Sequence, residues 1–253
     1  GSQGQLENPV LKLFDLADPV GAQKTIDLPN RPSCHGFCQP MTLSGDERFL
    51  YYDSVRNVCP GGGDASVCDS HSVSIVDLDN PAAPINVPLP IGCGIPALAP
   101  SGPHNVVATC RTQYPADFGW MALIEPDGSI VRTFDFSAER SFNKELVISR
   151  MKVTPAYGTL TSKGELAVLL QEGQIVKEAT DGTRTRAHAL PADSSFVLRI
   201  EEAFDLGRDR LFIVYRDSAW GAHERNWSFV VYDLSAMAIE SKAAVTGASC
   251  PDF

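Results

Sequence analysis

Short apolar, β-branched runs alternate along the chain with turns rich in Asp, Gly and Pro, and no stretch of any length keeps a helical period. Five of the runs resemble one another: Leu11-Lys-Leu-Phe-Asp-Leu16, Val73-Ser-Ile-Val-Asp-Leu78, Met121-Ala-Leu-Ile-Glu-Pro126, Gly173-Gln-Ile-Val-Lys-Glu178 and Phe229-Val-Val-Tyr-Asp-Leu234. Their acidic markers, Asp15, Asp77, Glu125, Glu178 and Asp233, recur at intervals of 62, 48, 53 and 55 residues. A second strand-like run follows each marker, over 23–28, 85–89, 129–134, 184–190 and 239–245. Upstream of the last four markers lies another hairpin, turning at 44–47, 101–104, 162–165 and 206–209. Each of these turns holds a glycine, which supplies the positive φ of a tight hairpin at no steric cost. An apolar strand follows each turn, as in Leu166-Ala-Val-Leu-Leu170 and Leu211-Phe-Ile-Val-Tyr215.

The repeating unit is therefore two hairpins, or four antiparallel strands. One small sheet cannot bury both of its faces alone, and stacking several radially solves that problem. The pattern predicts an all-β chain, a β-propeller of about five four-stranded antiparallel sheets, with a β-sandwich as the alternative. The four residues Gly1-Ser2-Gln3-Gly4 read as a cloning remnant, and 5–253 as a single domain. Because the first unit opens directly with its outer hairpin, one sheet is expected to be incomplete, or to be completed by further sequence or by a partner chain.

Val73-Ser-Ile-Val-Asp-Leu-Asp-Asn-Pro-Ala-Ala-Pro84, continued by Ile85-Asn-Val87, resembles the LVIVD/YVTN-type repeat of bacterial and archaeal surface propellers. Leu11-Lys-Leu-Phe-Asp-Leu-Ala-Asp-Pro19 resembles it too, while the other three units depart from it with Pro-Asp-Gly, Thr-Asp-Gly and Leu-Ser-Ala turns. The resemblance implies a propeller and an extracytoplasmic setting, and little about activity.

Composition narrows the setting further. At 253 residues, with 43% hydrophobic and 21% charged content, the chain can build a sizeable core. A net charge of −10 excludes a duplex nucleic-acid binder, which needs a basic footprint, and disfavours docking on anionic lipid. No apolar run approaches the roughly 18 residues of a membrane span, so no membrane insertion is expected. Seven cysteines sit mostly in loops or at strand ends, a placement that predicts disulfides in an extracellular, cell-surface or periplasmic protein. The expected bonds are Cys59–Cys68 within one Gly-rich loop and Cys93–Cys110 across the hairpin turning at Gly102. Cys250 is expected to pair with Cys34 or Cys38.

Candidate chemistry is sparse. Cys34-His-Gly-Phe-Cys38 has zinc-like spacing but no second pair, and Gln39 stands where a haem attachment site needs His. The loop from Cys59 to Cys68 could offer Asp64 and backbone oxygens to calcium, but it lacks alternating carboxylates. No cofactor and no metal are therefore expected, with structural calcium as the alternative. The five histidines are scattered and expected in loops, and there is neither a nucleophile elbow nor a phosphate loop. The most binding-like stretch is Arg216-Asp-Ser-Ala-Trp-Gly-Ala-His-Glu-Arg-Asn-Trp227, a connection between second and third strands whose counterparts are 53–72 and 111–120. Its composition is that of interaction hot spots. The candidate binding residues are the aromatic anchors Trp120, Trp220 and Tyr114, with Arg216, Arg225 and His223 as polar contacts. Trp227 belongs either to that surface or to the core. The predicted function is recognition or scaffolding of a protein or glycan ligand. The alternative is a secreted glycosidase- or lactonase-like propeller enzyme with a carboxylate-lined central pocket, with or without a metal.

Overall fold

Strands form where the apolar runs predict them. The structure, a computed structural model, describes residues 10–13, 24–28, 34–35, 37–38, 41–57, 69–90, 93, 95–111, 119–137, 155–170, 173–189, 198–217 and 226–245. Among these, β1 (Val10–Leu13) pairs with β2 (Lys24–Asp27), and β3 (Cys34–His35) with β4 (Phe37–Cys38). The next sheet holds β5 (Thr42–Leu43), β6 (Phe49–Asn57), β7 (Asp69–Asp77) and β8 (Ile85–Pro88). It is followed by a sheet of β9 (Ile95–Ser101), β10 (Asn105–Arg111), β11 (Trp120–Ile124) and β12 (Ile130–Asp135). A further sheet holds β13 (Pro155–Leu160), β14 (Leu166–Leu170), β15 (Gln174–Glu178) and β16 (Arg184–His188). The last holds β17 (Leu198–Gly207), β18 (Arg210–Asp217), β19 (Asn226–Asp233) and β20 (Ala238–Val245).

These four antiparallel meanders are blades II to V of a β-propeller, and β1–β2 stands as the outer pair of blade I. The predicted count of about five four-stranded sheets thus resolves, among the described residues, into four complete blades and one half blade. The small β3–β4 hairpin, in which Cys34 faces Cys38, has no counterpart in the sequence pattern.

Each seam between these neighbouring blades is built on an apolar layer. Leu11, Ile26 and Leu28 of blade I meet Leu50, Tyr52 and Val76 of blade II. The opposite face of blade II sends Tyr51, Val73 and Ile75 against Val106, Ala108 and Ile124 of blade III. Val107, Met121 and Phe134 then meet Leu166, Val168 and Val176 of blade IV, and Leu169 and Ile175 meet Leu211, Ile213 and Val230 of blade V. Full burial of such a side chain contributes about 1.5–3 kcal/mol. At the III–IV seam the strands approach so closely that a Cβ on Gly158 would lie 2.0 Å from Thr109 Oγ1. Across the IV–V seam Thr159 donates to Asp205 Oδ2 at 2.8 Å. Burial there, reinforced by the Asp205 charge, pushes the Tyr157 phenol up to about 12.

One end of the propeller is stitched by polar ties between turns. The Asp46 N–H donates to Pro103 O at 2.9 Å, and the Asp46 carboxylate lies 2.8 Å from His104 Nδ1, joining blades II and III. Arg132 of blade III donates to the carbonyls of Gly164, Glu178 and Ala179 in blade IV. The Ser162 N–H and hydroxyl both donate to Asp209 at 2.5 Å, joining blades IV and V. All these groups belong to first-to-second or third-to-fourth strand turns or lie beside them, so the second-to-third connections leave from the opposite end.

Candidate functional site

The residues flanking those connections, Asn57 and Asp69, Arg111 and Trp120, Leu170 and Gly173, Asp217 and Asn226, define the loop end of blades II to V, and the connections themselves, 58–68, 112–118, 171–172 and 218–225, lie outside the described residues. Trp120 opens β11, where it is half-buried and packs against the II–III core. Arg216 stands in β18 between Arg199 and Trp227. Trp227 lies within β19, half-buried, with its indole Nε1 enclosed and unpartnered. Tyr114, Trp220, His223 and Arg225 lie outside the described residues, as do Cys59, Cys68 and Cys250.

The Cys93–Cys110 disulfide is present, spans the β9–β10 hairpin as the spacing predicts, and lies in the II–III seam. Closing a loop with a sequence separation of 17 residues constrains the unfolded chain and contributes about 3 kcal/mol.

Beside that seam lies a polar pair that the sequence pattern did not reveal. Asp53 on β6 and His71 on β7 continue the face carrying Tyr51, Val73 and Ile75, and they are 2% and 6% exposed. His71 Nδ1 lies 2.9 and 3.0 Å from the two Asp53 carboxylate oxygens. A carboxylate can only accept, so Nδ1–H donates to Asp53 and the carboxylate fixes the orientation of the imidazole. The expectation that the histidines lie in loops fails at His35 in β3, His188 in β16 and His71 in β7; His71 is in a strand because β6 and β7 pair beyond their apolar stretch, as far as Asn57 opposite Asp69. Two polar residues in phase with a buried apolar face were the available signal, since such groups are kept only when paired. On the other face of the same strands Ser74 Oγ lies 2.7 Å from Ser54 Oγ and donates to Asn86 Oδ1 at 2.6 Å.

Among the described residues no three His, Cys, Asp or Glu side chains are grouped to hold a metal. At the tied end, a shallow cleft of about 410 Å³ lies between β2 and the turn after β7, lined by Thr25, Ile26, Asp27, Leu28, Pro81, Ala82 and Pro84. Among the described residues Asp27 is its one ionisable group.

No family model matches the chain, and no curated protein does. Among solved structures the chain is similar to an ACO/RPE65 chimera, with a TM-score of 0.49 and 11% identity over 93% of this chain and 55% of that one. It is also similar to BBS1N in complex with ARL6DN, with a TM-score of 0.47 and 11% identity over 94% and 62% of the two chains. A structure from work on two prolyl endopeptidases gives a TM-score of 0.46 and 13% identity over 97% and 39%. The chain thus spans 62% or less of each of these neighbours, and at such identities the likeness is one of fold alone.

Proposed function

We propose that this propeller is an extracytoplasmic recognition or scaffold protein that binds a protein or glycan ligand at its loop end. The observation that carries this reading is the division of labour between the two ends. One end has its turns cross-linked blade to blade, whereas the other sends out the second-to-third-strand connections, unequal in length, that carry the Trp-, Tyr- and Arg-rich sequences. Binding groups concentrate on loops held by a rigid scaffold. Trp220, Tyr114 and Trp120 are the proposed anchors, with Arg216, Arg225 and His223 beside them. The Cys93–Cys110 bond supports an oxidising compartment.

A second reading, a propeller enzyme, is favoured by the Asp53–His71 pair, because a carboxylate-oriented imidazole is half of an acid–base apparatus. One set of measurements separates the two. The wild type, Trp220→Ala and His71→Ala are assayed on a glycan array and on a panel of glycoside and lactone substrates. Recognition requires saturable binding that Trp220→Ala weakens by about 2 kcal/mol or more at unchanged melting temperature. Turnover that His71→Ala abolishes in a folded protein would decide for the enzyme.

A further inference from the structure

Asn226-Trp-Ser228, at the start of β19, is the one place in the chain where an asparagine is followed two positions later by a hydroxyl. The pattern Asn-x-Ser/Thr, with x not proline, is the acceptor signal for N-linked sugar transfer. Asn8 and Asn80 are followed by proline, Asn57 has Cys59 in the third position, and Asn30, Asn86, Asn105 and Asn143 have neither Ser nor Thr there. Glu224 stands two positions before Asn226. Some transferases of this class also require an acidic side chain at that position, so the stretch 224–228 satisfies the stricter signal as well as the shorter one.

The backbone gives this acceptor access. Asn226 pairs with Asp217 in the last pair of the β18–β19 ladder, whereas the β19–β20 ladder begins only at Trp227 opposite Val245. Among the described residues Asn226 is therefore held on one side only, at a strand end, and such ends open at the lowest free-energy cost. Ser228, which carries the hydroxyl, is partly exposed. By alternation Asn226 belongs to the same face of β19 as Ser228, Val230 and Tyr232, and the last two are buried against blade IV. Blade IV has the shortest second-to-third connection: β14 ends at Leu170 and β15 begins at Gln174, with the Gly173 N–H donating to Leu170 O at 2.8 Å. The blade that this face meets thus places the least chain at the loop end, where a bulky, hydrated sugar needs room.

We infer that Asn226 is a site of N-linked glycosylation. In the transfer, the Asn226 side-chain nitrogen forms a bond to the anomeric carbon of an oligosaccharide carried on a lipid pyrophosphate. The carbon–oxygen bond to the pyrophosphate breaks, the lipid pyrophosphate leaves with the electron pair, and the amide gives up one proton to a base of the transferase. The inference rests on the extracytoplasmic setting of the proposed function, because this transfer takes place on the far side of a membrane from the cytoplasm. Trp227 is a bulky middle residue, and serine is read less efficiently than threonine, so partial occupancy is expected.

Glycopeptide mass spectrometry on the full-length protein from its natural host tests this, with the Cys93–Cys110 bond read in the same unreduced digest. Part of the peptide carrying Asn226 should be heavier by one oligosaccharide, with fragments placing the sugar on Asn226. Asn226→Gln and Ser228→Ala, made in the same host and verified as folded by circular dichroism, should each lose the heavier form. Ser228→Thr, which puts a β-branched residue in a strand, should raise its share. Glu224→Gln identifies what reads the signal: loss of the sugar assigns a transferase that needs the acidic residue, retention one that reads Asn and Ser alone, and both support the site. An unmodified Asn226 beside an intact Cys93–Cys110 bond overturns the inference and leaves the setting standing. A sugar that survives Asn226→Gln also overturns it, because it would then sit on another side chain. Free thiols at Cys93 and Cys110 together with an unmodified Asn226 would sink the setting and the site alike.

Discussion

Blades IV and V have second strands of nearly equal apolar content and different fates. In β14, Leu166-Ala-Val-Leu-Leu170, every residue is buried, because blade III covers one face and blade V the other. In β18, Leu211, Ile213 and Tyr215 are buried while Phe212 and Val214 between them are not. Strand sequence specifies how much surface can be buried, and the neighbours of the sheet decide how much is. A half-buried sheet normally answers with polar residues on its open side, as β1 and β2 do with Lys12, Thr25 and Asp27. On blade V the polar residues of that side, Arg210 and Asp233, stand at one end of β18 and β19, and Phe212, Val214, Phe229 and Val231 leave the middle of the face apolar.

The largest effect that can break this comparison is a charge placed in each strand. Val168, in the middle of β14, is fully buried. Val168→Asp should cost more than about 4 kcal/mol and abolish cooperative unfolding, because it would bury a carboxylate in a cluster formed by Val107, Met121, Phe134 and Val176. Val214→Asp, on the open face of β18, should leave a folded monomer within about 1 kcal/mol of the wild type. Urea titrations of the two variants suffice to test this. Equal losses would mean that the face of blade V is already covered within the chain.

A smaller effect sharpens the same contrast. An alanine Cβ at Gly158 would meet Thr109 Oγ1 at 2.0 Å and Met121 Cε at 2.8 Å, so Gly158→Ala should cost about 1–3 kcal/mol by overpacking the III–IV seam. Thr109 Oγ1 has no hydrogen-bond partner, so Thr109→Ala removes the obstacle without breaking a bond and should recover much of the loss. Gly207, at the β17–β18 turn, has open space around its Cβ position and φ +74°. Gly207→Ala should therefore cost only the backbone term, about 1 kcal/mol, with no rescue from any neighbour. A double-mutant cycle for Gly158 and Thr109 with no coupling would refute the close approach.

These contrasts also explain which parts of the fold were legible in the sequence. The third and fourth strands of each blade could be read because acidic markers and turn residues are local chemistry: Asp127-Gly128 and Asp181-Gly182 place glycine at φ 84° and 83° where the turn demands it. The predicted run from Leu166 to Leu170 coincides with β14, and the Cys93–Cys110 bond followed from placing the hairpin turn at Gly102. First strands were harder. β5 is two residues long, and β9, Ile95-Pro-Ala-Leu-Ala-Pro-Ser101, carries two prolines, which an inner edge strand accepts because one side of its ladder needs no donor. Asp53 and His71 escaped notice because a polar stretch beside Val73 reads as loop until pairing is known. Of the candidate binding residues, Trp120 proved to lean on the core, and the loop aromatics are judged by binding experiments alone.

The smallest effect should be similar in both blades, because each depends on hydrogen bonds made within its own turn. Asp181 in the outer turn of blade IV accepts from the Thr183 N–H at 2.8 Å, and this bond holds its carboxyl below the ordinary 3.8. Asp233 in blade V accepts from the Ser235 hydroxyl at 2.6 Å and the Ala236 N–H at 3.0 Å, with the same result. A carboxyl with a depressed folded pKa contributes stability above its unfolded value, and that contribution is lost as pH falls through the folded value. Asparagine keeps the oxygen acceptor that shapes such a turn but does not titrate. Asp181→Asn and Asp233→Asn should therefore each lower the melting temperature slightly near neutral pH. The deficit should fade as pH drops from about 5 to below about 3, because the wild-type carboxyls become protonated there. Calorimetric scans across that range should give two curves of similar size, since both side chains are exposed to solvent and screened. A deficit that persists at the acid end would trace it to turn geometry instead of charge. One several-fold larger in blade V would mean that the uncovered blade depends on its turns in a way that blade IV does not.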